Sequence, residues 1–251
     1  MKLLSIEGLN VRVKDSEKEI LSKLNFDLKE NSIHTVFGSS GSGKSTFLKI
    51  LLNLVPENIQ VNSKSWSLFN KEKNEYSEED WVRLRGKQMF LIPQNPIHSF
   101  HPYFEVETQI KDFFKIKKMK FSRKEFIDIL NSLNVQSPSE KIQSRAAKIS
   151  GGERQRILIA LAIQVGAKVL LADEPTSALD SVSTKSVLSS LYNTFEKHKL
   201  SIVLITHDRK IAKELSNEIS ILYRGEIIEN QISRLGNFQF QTEYAQELMY
   251  D

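Results

Sequence analysis

Apolar and polar positions alternate loosely through Leu3–Val13 and again through Leu21–Leu28. That is the period of strands with one buried face, and it predicts two strands of an antiparallel sheet. Asn31 sits in a turn before Ile33–Phe37, a short apolar run leading into a glycine-rich stretch. Apolar residues then fall at Phe47, Leu48, Leu51 and Leu52, the spacing of a helix over Thr46–Leu54. The local order is strand, glycine-rich loop, helix. From about Asn95 to Ala167 the pattern is mainly helical, with much of the positive charge between Lys111 and Lys124. Val169–Ala172 is a compact apolar run ending in Asp173-Glu174-Pro175. A helical stretch, Ser183–Lys197, leads to a second buried-type strand, Ser201–Thr206, and another helix starts from Asp208. Ser220–Tyr223 and Glu226–Ile228, hinged at Gly225, predict a hairpin. Strands alternating with helices imply a largely parallel sheet, with an antiparallel N-terminal portion and a helical insertion.

Composition narrows the class. The 251 residues, 40% hydrophobic and 26% charged, suffice for one large domain or a core with an inserted subdomain, and do not suggest disorder. The net charge of +4, from 35 basic and 31 acidic side chains, falls short of the clustered excess that phosphate-backbone neutralisation demands. Direct nucleic acid binding is therefore not expected. The chain has no cysteine, which excludes disulfides, thiolate metal sites and cysteine nucleophiles and fits a reducing compartment. Met1–Ser5 lack the apolar core of a signal peptide. No window reaches the roughly 18–20 apolar residues of a membrane-spanning helix. The expectation is a soluble chain that meets a membrane only through a partner.

Gly38-Ser39-Ser40-Gly41-Ser42-Gly43-Lys44-Ser45 fits the Walker A pattern G-x-x-x-x-G-K-[ST]. Glycines let the backbone bend around phosphates while amide N–H groups point inward at a helix start. In that reading Lys44 reaches the β- and γ-phosphates of ATP, Ser45 ligates Mg²⁺ and Thr46 lies by the α-phosphate. A glycine- and serine-rich turn could match by chance, but here a strand precedes the loop and a helix follows it. Val169–Ala172 with Asp173 and Glu174 reads as a Walker B strand, ending where ligands bind a parallel sheet. Asp173 would hold Mg²⁺ and Glu174 would orient or deprotonate the attacking water. Taken alone, the two acids could equally cap the turn before Pro175.

Four further elements resemble the ATP-binding-cassette (ABC) family. Ile149-Ser150-Gly151-Gly152-Glu153 is similar to the signature LSGGQ, with Ile for Leu and Glu153 for Gln. Ser177-Ala178-Leu179-Asp180 resembles the D-loop, and Ile205-Thr206-His207-Asp208 the switch-histidine segment. Gln94, within Leu91–Pro96, resembles the Q-loop glutamine. The motifs stand in family order from Gly38 to His207. The resemblance implies an α/β P-loop NTPase fold with a RecA-like parallel core, an N-terminal antiparallel β-subdomain and an inserted α-helical subdomain. One domain would span 1–251, with the helical subdomain at about 95–167.

It further implies ATP hydrolysis in which Glu174, His207 and Lys44 are catalytic. ATP would be bound by residues 38–46 and Gln94, and Mg²⁺ by Ser45, Gln94 and Asp173. Ser150, Gly151, Gly152, Glu153 and Asp180 would act on the nucleotide of a second ABC subunit, identical or sister. The sequence departs from the family pattern where an adenine-stacking aromatic is expected, near Val13. Asn31-Ser32 stand in place of the usual Gly-Glu. Glu153 adds negative charge near a phosphate.

Pro93–Pro102 with Val106 and Gln109-Ile110 resembles a run found in peptide/nickel importer ATPases, and Tyr244–Met249 resembles that family's terminal Tyr-x-x-x-Leu segment. The cysteine-bearing C-terminal extension of many oligopeptide members is absent. The implied role is the motor of an importer of peptide, nickel or a related small solute. It would be peripheral at the cytoplasmic face of the cell membrane, with two transmembrane permease subunits and an extracytoplasmic solute-binding protein. An energy-coupling-factor or other micronutrient importer is a variant of that role. The rival class is a soluble ABC ATPase acting on nucleic acid or ribosomes. The Lys111–Lys124 run, interleaved with Phe113, Phe114, Met119 and Phe121, reads as an amphipathic helical surface; a face near lipid headgroups is the other reading. His98 and His101 lie in a proline-containing loop that makes a poor metal pair.

Overall fold

A computed structural model describes residues 1–251 apart from 15, 17, 178, 180, 234–236 and 251. The elements begin with β1 (Lys2–Val13), β2 (Glu19–Lys29), β3 (Ile33–Phe37), α1 (Lys44–Leu51), β4 (Ile59–Asn62), β5 (Ser65–Leu68) and β6 (Lys71–Glu72). Next come α2 (Glu78–Leu84), β7 (Met89–Ile92), α3 (Val106–Ile116), α4 (Arg123–Ser132), α5 (Pro138–Gln143) and α6 (Gly151–Gln164). The chain continues through β8 (Val169–Asp173), α7 (Ser181–His198), β9 (Ser201–Thr206) and α8 (Arg209–Leu215). It ends with β10 (Glu218–Tyr223), β11 (Glu226–Ile232) and α9 (Glu243–Tyr250). Two compact units result, Met1–Val82 with Ser201–Asp251, and Arg83–Leu200.

In the first unit β1 and β2 pair antiparallel, with Leu4 opposite Leu28, Ile6 opposite Phe26, Leu9 opposite Leu24 and Val11 opposite Leu21. All eight side chains are buried, which is the physical content of the alternation seen in the sequence. The other edge of β1 pairs with β4 and β5, placing Trp66 opposite Ile6 and Leu68 opposite Leu4. The elements β4 to β6 and α2 were not foreseen from the hydrophobic pattern. In the second sheet β3 lies parallel to both β10 and β9. Every residue of β3 and β9 is buried. A central strand covered on both faces is predominantly apolar, which makes both legible in the sequence with these bounds. The polar His34 and Thr35 within β3 are satisfied by the Asp27 carbonyl, Ser220 and Ser216.

Asn31 adopts φ +50° between β2 and β3, the left-handed turn that asparagine tolerates. The hairpin from β10 to β11 turns at Arg224 (φ +47°) and Gly225 (φ +86°), two left-handed residues that match the twist of its strands. Its strands extend further than the apolar run suggested, because the buried end residue Glu218 is polar. Its carboxylate is satisfied by Lys29 at 3.1 Å and by the Asn230 side-chain amide at 2.6 Å. Helix α1 starts two residues before the predicted Thr46, directly after Gly43. Phe238, Phe240, Ala245 and Met249 bring the C-terminal segment into one cluster with Phe37, Ala212, Ile219 and Ile221.

In the second unit β7 and β8 are parallel, with Ile92 opposite Ala172. Helix α3 buries Val106, Ile110 and Phe114 at four-residue spacing, and Phe114 adjoins Phe121, which adjoins Phe126. Lys111 and Arg123 converge on the buried carboxylate of Glu107, at 2.7 and 3.1 Å. The basic run is thus an amphipathic face, broken at Lys118 (φ +53°). Helix α6 is buried almost continuously from Gly152 to Ala162 and packs against α4 and α7.

Candidate functional site

The glycine-rich loop follows the buried end of β3. Gly41 and Gly43 have φ of +80° and +107°, a region that disfavours side chains. A Cβ on Gly43 would lie 2.7 Å from Leu21 Cδ2, and one on Gly38 would collide with the Leu222 carbonyl oxygen. The loop is therefore moulded by β2 and β10 as well as by its own sequence. Ser39, Ser40 and Gly41 are exposed at its tip, whereas Ser42 and Lys44 are buried. The Lys44 ammonium donates to the carbonyls of Gly38 and Ser39, both at 2.8 Å, so its charge sits within the curve of the loop. Helix α1 has no side-chain cap and no acid in its first turn. Its N-terminal amides and positive dipole end are directed at the loop, an arrangement suited to polyphosphate. Ser45 is exposed and Thr46 half-buried in that turn.

The parallel register of β3 and β9 sets Phe37 opposite Thr206. Gly38 and His207 are the next residues of each strand and leave the sheet at the same C-terminal edge. His207 is exposed. Its backbone path is fixed by Asp208, whose N–H donates to Thr206 Oγ1 at 3.0 Å. The Asp208 carboxylate then caps α8, accepting from the amides of Lys210 and Ile211.

In the second unit, Asp173 and Glu174 stand at the end of β8 and Gln94 just beyond β7. The structure brings Gln94 and Glu174 together, the Gln94 amide donating to Glu174 Oε2 at 3.1 Å. Glu174 has φ +42°, a conformation a non-glycine residue adopts at a cost. Its carbonyl accepts from the amide and hydroxyl of Ser177, each at 3.1 Å. Its carboxylate, one residue past the end of β8, is held by the Gln94 side-chain amide. Asp180 lies outside the described residues.

Ser150 begins α6 with a reciprocal capping box. Its hydroxyl accepts from the Glu153 amide at 3.3 Å, and its own amide donates to Glu153 Oε2 at 2.9 Å. A Cβ on Gly151 would lie 3.2 Å from Leu179, and one on Gly152 3.1 Å from the Ser183 Cβ, so the turn packs close to the start of α7. Burial pushes the Glu153 carboxyl upward, but the Lys141 ammonium and the Ser150 amide outweigh it and hold the group below the usual glutamate range. Two features escaped the sequence reading. Lys141 pairs with Glu153 at 2.9 Å, and the Tyr244 hydroxyl donates to Ser39 Oγ at 3.2 Å. The terminal tyrosine was visible as a motif, but nothing local linked it to the loop.

The Lys44 ammonium and the uncapped start of α1 fit the phosphate chain of a nucleoside triphosphate at the glycine loop. The hydroxyl of Ser45, in the first turn of α1, is a hard oxygen donor of the type Mg²⁺ prefers.

Comparison with known proteins gives consistent results. The family model described as "ABC transporter" matches residues 21–177. The dipeptide transport ATP-binding protein DppD of Escherichia coli K12 is 29% identical over 234 residues, 91% of this chain and 72% of the relative. The oligopeptide transport ATP-binding protein OppD of Bacillus subtilis is 30% identical over 91% of this chain and 65% of its own length. Among solved structures, the dimeric cassette MJ0796 bound to ADP and Pi superposes with a TM-score of 0.77 at 24% identity, covering 92% of this chain and 99% of the other. The cassette cbiO1 of Clostridium perfringens gives 0.77 at 22% identity, over 91% and 88%.

Proposed function

The chain belongs to the ABC transporter family, and from that premise we propose that it is the ATP-hydrolysing subunit of an importer that energises peptide uptake. The observation that carries the solute assignment is the agreement of relatives named for dipeptide and oligopeptide transport over about nine-tenths of this chain. Among the described residues no helix is long and apolar enough to cross a membrane, so separate permease subunits would carry the solute path. A second cassette, identical or sister, would complete the motor at the cytoplasmic face, with an extracytoplasmic protein delivering the solute.

In this reading Lys44 and the amides of the glycine loop hold the β- and γ-phosphates of ATP. Mg²⁺, held by Ser45, Asp173 and Gln94, would supply charge neutralisation on the phosphate oxygens. Glu174 orients the attacking water and takes its proton as the new oxygen–phosphorus bond forms. The bond to the β-phosphate oxygen breaks and ADP departs with that electron pair. His207 supports the γ-phosphate. Lys44 stabilises the developing charge, and Ser150–Gly152 of the second cassette close the site. The hydrogen bond from Gln94 to Glu174 supports the reading that the Q-loop reports on the catalytic carboxylate.

Two experiments test this. Glu174→Gln keeps the shape but removes the proton acceptor, so hydrolysis should fall by at least about a hundredfold while an ATP-bound dimer accumulates; normal turnover would sink the assigned role. Tagged protein recovered from mild-detergent membranes should carry two multi-spanning subunits. Recovery with ribosomes or nucleic acid alone would overturn the importer assignment and leave the ATPase one standing.

A further inference from the structure

The signature helix carries a glutamate where the family pattern has glutamine, in its first turn beside the proposed phosphate-recognising Ser150–Gly152. The arrangement around it is specific. Glu153 Oε1 is held by Lys141 at 2.9 Å and Oε2 by the Ser150 amide at 2.9 Å. The Lys141 and Glu153 side chains are only 31% and 14% exposed, so the pair is partly shielded from solvent. Lys141 is itself placed by α5, a short helix with Pro138 in its first turn and Ile142 buried. Of the neighbouring arginines on α6, Arg154 donates to the Ala146 carbonyl and Arg156 to Ser186 at 3.0 Å.

We propose that Lys141 is a positioning residue for the signature turn: it neutralises Glu153 and keeps that carboxylate folded back on Ser150. A glutamine at this position could make the same bond to the Ser150 amide without charge. A glutamate makes it with a negative charge, which favours the helix dipole but opposes an arriving phosphate. Lys141 cancels that charge locally and leaves the Ser150 hydroxyl and the Gly151–Gly152 backbone as an anion-receiving start. The inference rests on the reading of Ser150–Gly152 as a phosphate-recognising turn.

The test is a double-mutant cycle in the complex recovered from membranes, comparing parent, Lys141→Met, Glu153→Gln and the double variant. Lys141→Met should raise the ATP concentration for half-maximal hydrolysis about fivefold, the scale of a partly exposed ion pair, with kcat changed less than about twofold. The defect should shrink between about 0.05 and 0.5 M salt, as an unscreened carboxylate requires. Lys141→Arg should restore the parent value. In the Glu153→Gln background the lysine substitution should add nothing. An unchanged half-saturation, or a shift that persists in that background, overturns the proposal. Ser150→Arg separates the premise. Normal hydrolysis in that variant removes the phosphate reading itself, whereas a dead Ser150→Arg beside a normal Lys141→Met defeats only the role of the lysine.

Discussion

Replacing Glu229 by alanine tests whether one carboxylate ties the C-terminal helix to the sheet that carries the phosphate loop. Glu229 lies in β11 and accepts four hydrogen bonds. Oε1 takes the Gln231 side chain at 2.9 Å and the Gln241 amide at 2.8 Å. Oε2 takes the Thr242 amide at 2.9 Å and the Thr242 hydroxyl at 2.7 Å. Thr242 in turn accepts from the Ala245 amide at 3.3 Å through its hydroxyl, capping α9. Losing two backbone bonds to the carboxylate costs about 1 kcal/mol each once water substitutes, and the lost charge at the start of α9 adds about 0.5 kcal/mol. The sum, about 2–3 kcal/mol, is roughly a 30- to 150-fold rise in local opening of the segment.

Hydrogen exchange reads this directly. Protection of the α9 amides should fall by that factor in Glu229→Ala, while β3 and β9 keep theirs. Burial raises the Glu229 carboxyl, but the donors from Thr242, Gln241 and Gln231 outweigh it and hold it below the ordinary range. The stability it supplies is therefore whole above the usual glutamate value of about 4.3 and is lost as pH falls through the depressed folded value. The parent protein should lose α9 protection in that acid window, and the alanine variant should not. Protection within about threefold of the parent at neutral pH would refute the hydrogen-bond arithmetic.

Tyr244→Phe removes only the hydroxyl that reaches Ser39, so half-saturation for ATP should rise about two- to fivefold with kcat unchanged, within the worth of one neutral hydrogen bond; a fall in thermal midpoint with unchanged half-saturation would assign the hydroxyl to stability alone. His34 is buried, bonded to the Asp27 carbonyl at 2.7 Å and Ser220 Oγ at 2.8 Å. Burial lowers its pKa despite the opposing Glu218 charge, so the unfolded chain takes up the proton first. Its contribution is whole above about pH 6.5 and declines as pH falls towards the folded value. Urea unfolding at about pH 7.5 and 5.5 should show a loss that His34→Gln reduces; equal losses in the two proteins would refute it.

What was legible in the sequence divides by the length of chain over which each contact closes. Lys44 with Gly38 and Ser39, and Ser150 with Glu153, close within six residues, and such contacts leave motifs. Strands β3 and β9 are legible because burial on both faces keeps them mostly apolar, although β3 carries His34 and Thr35, each bonded inside the fold. By contrast β4 is half-buried at Ile59, Gln60 and Val61 and owes its order to pairing with β1, which no local period records. The bond from Tyr244 to Ser39 spans 205 residues. Lys141 was hidden for a different reason. The match at Ser150–Glu153 is read as a phosphate turn in the family pattern and as a capping box in helix chemistry, and each reading accepts glutamate or glutamine at its fourth place on its own terms. Only the three-dimensional neighbour shows that the glutamate comes with a counter-charge, so the departure at Glu153 and the lysine at 141 form one feature. A substitution at either position is interpretable only with the other in view.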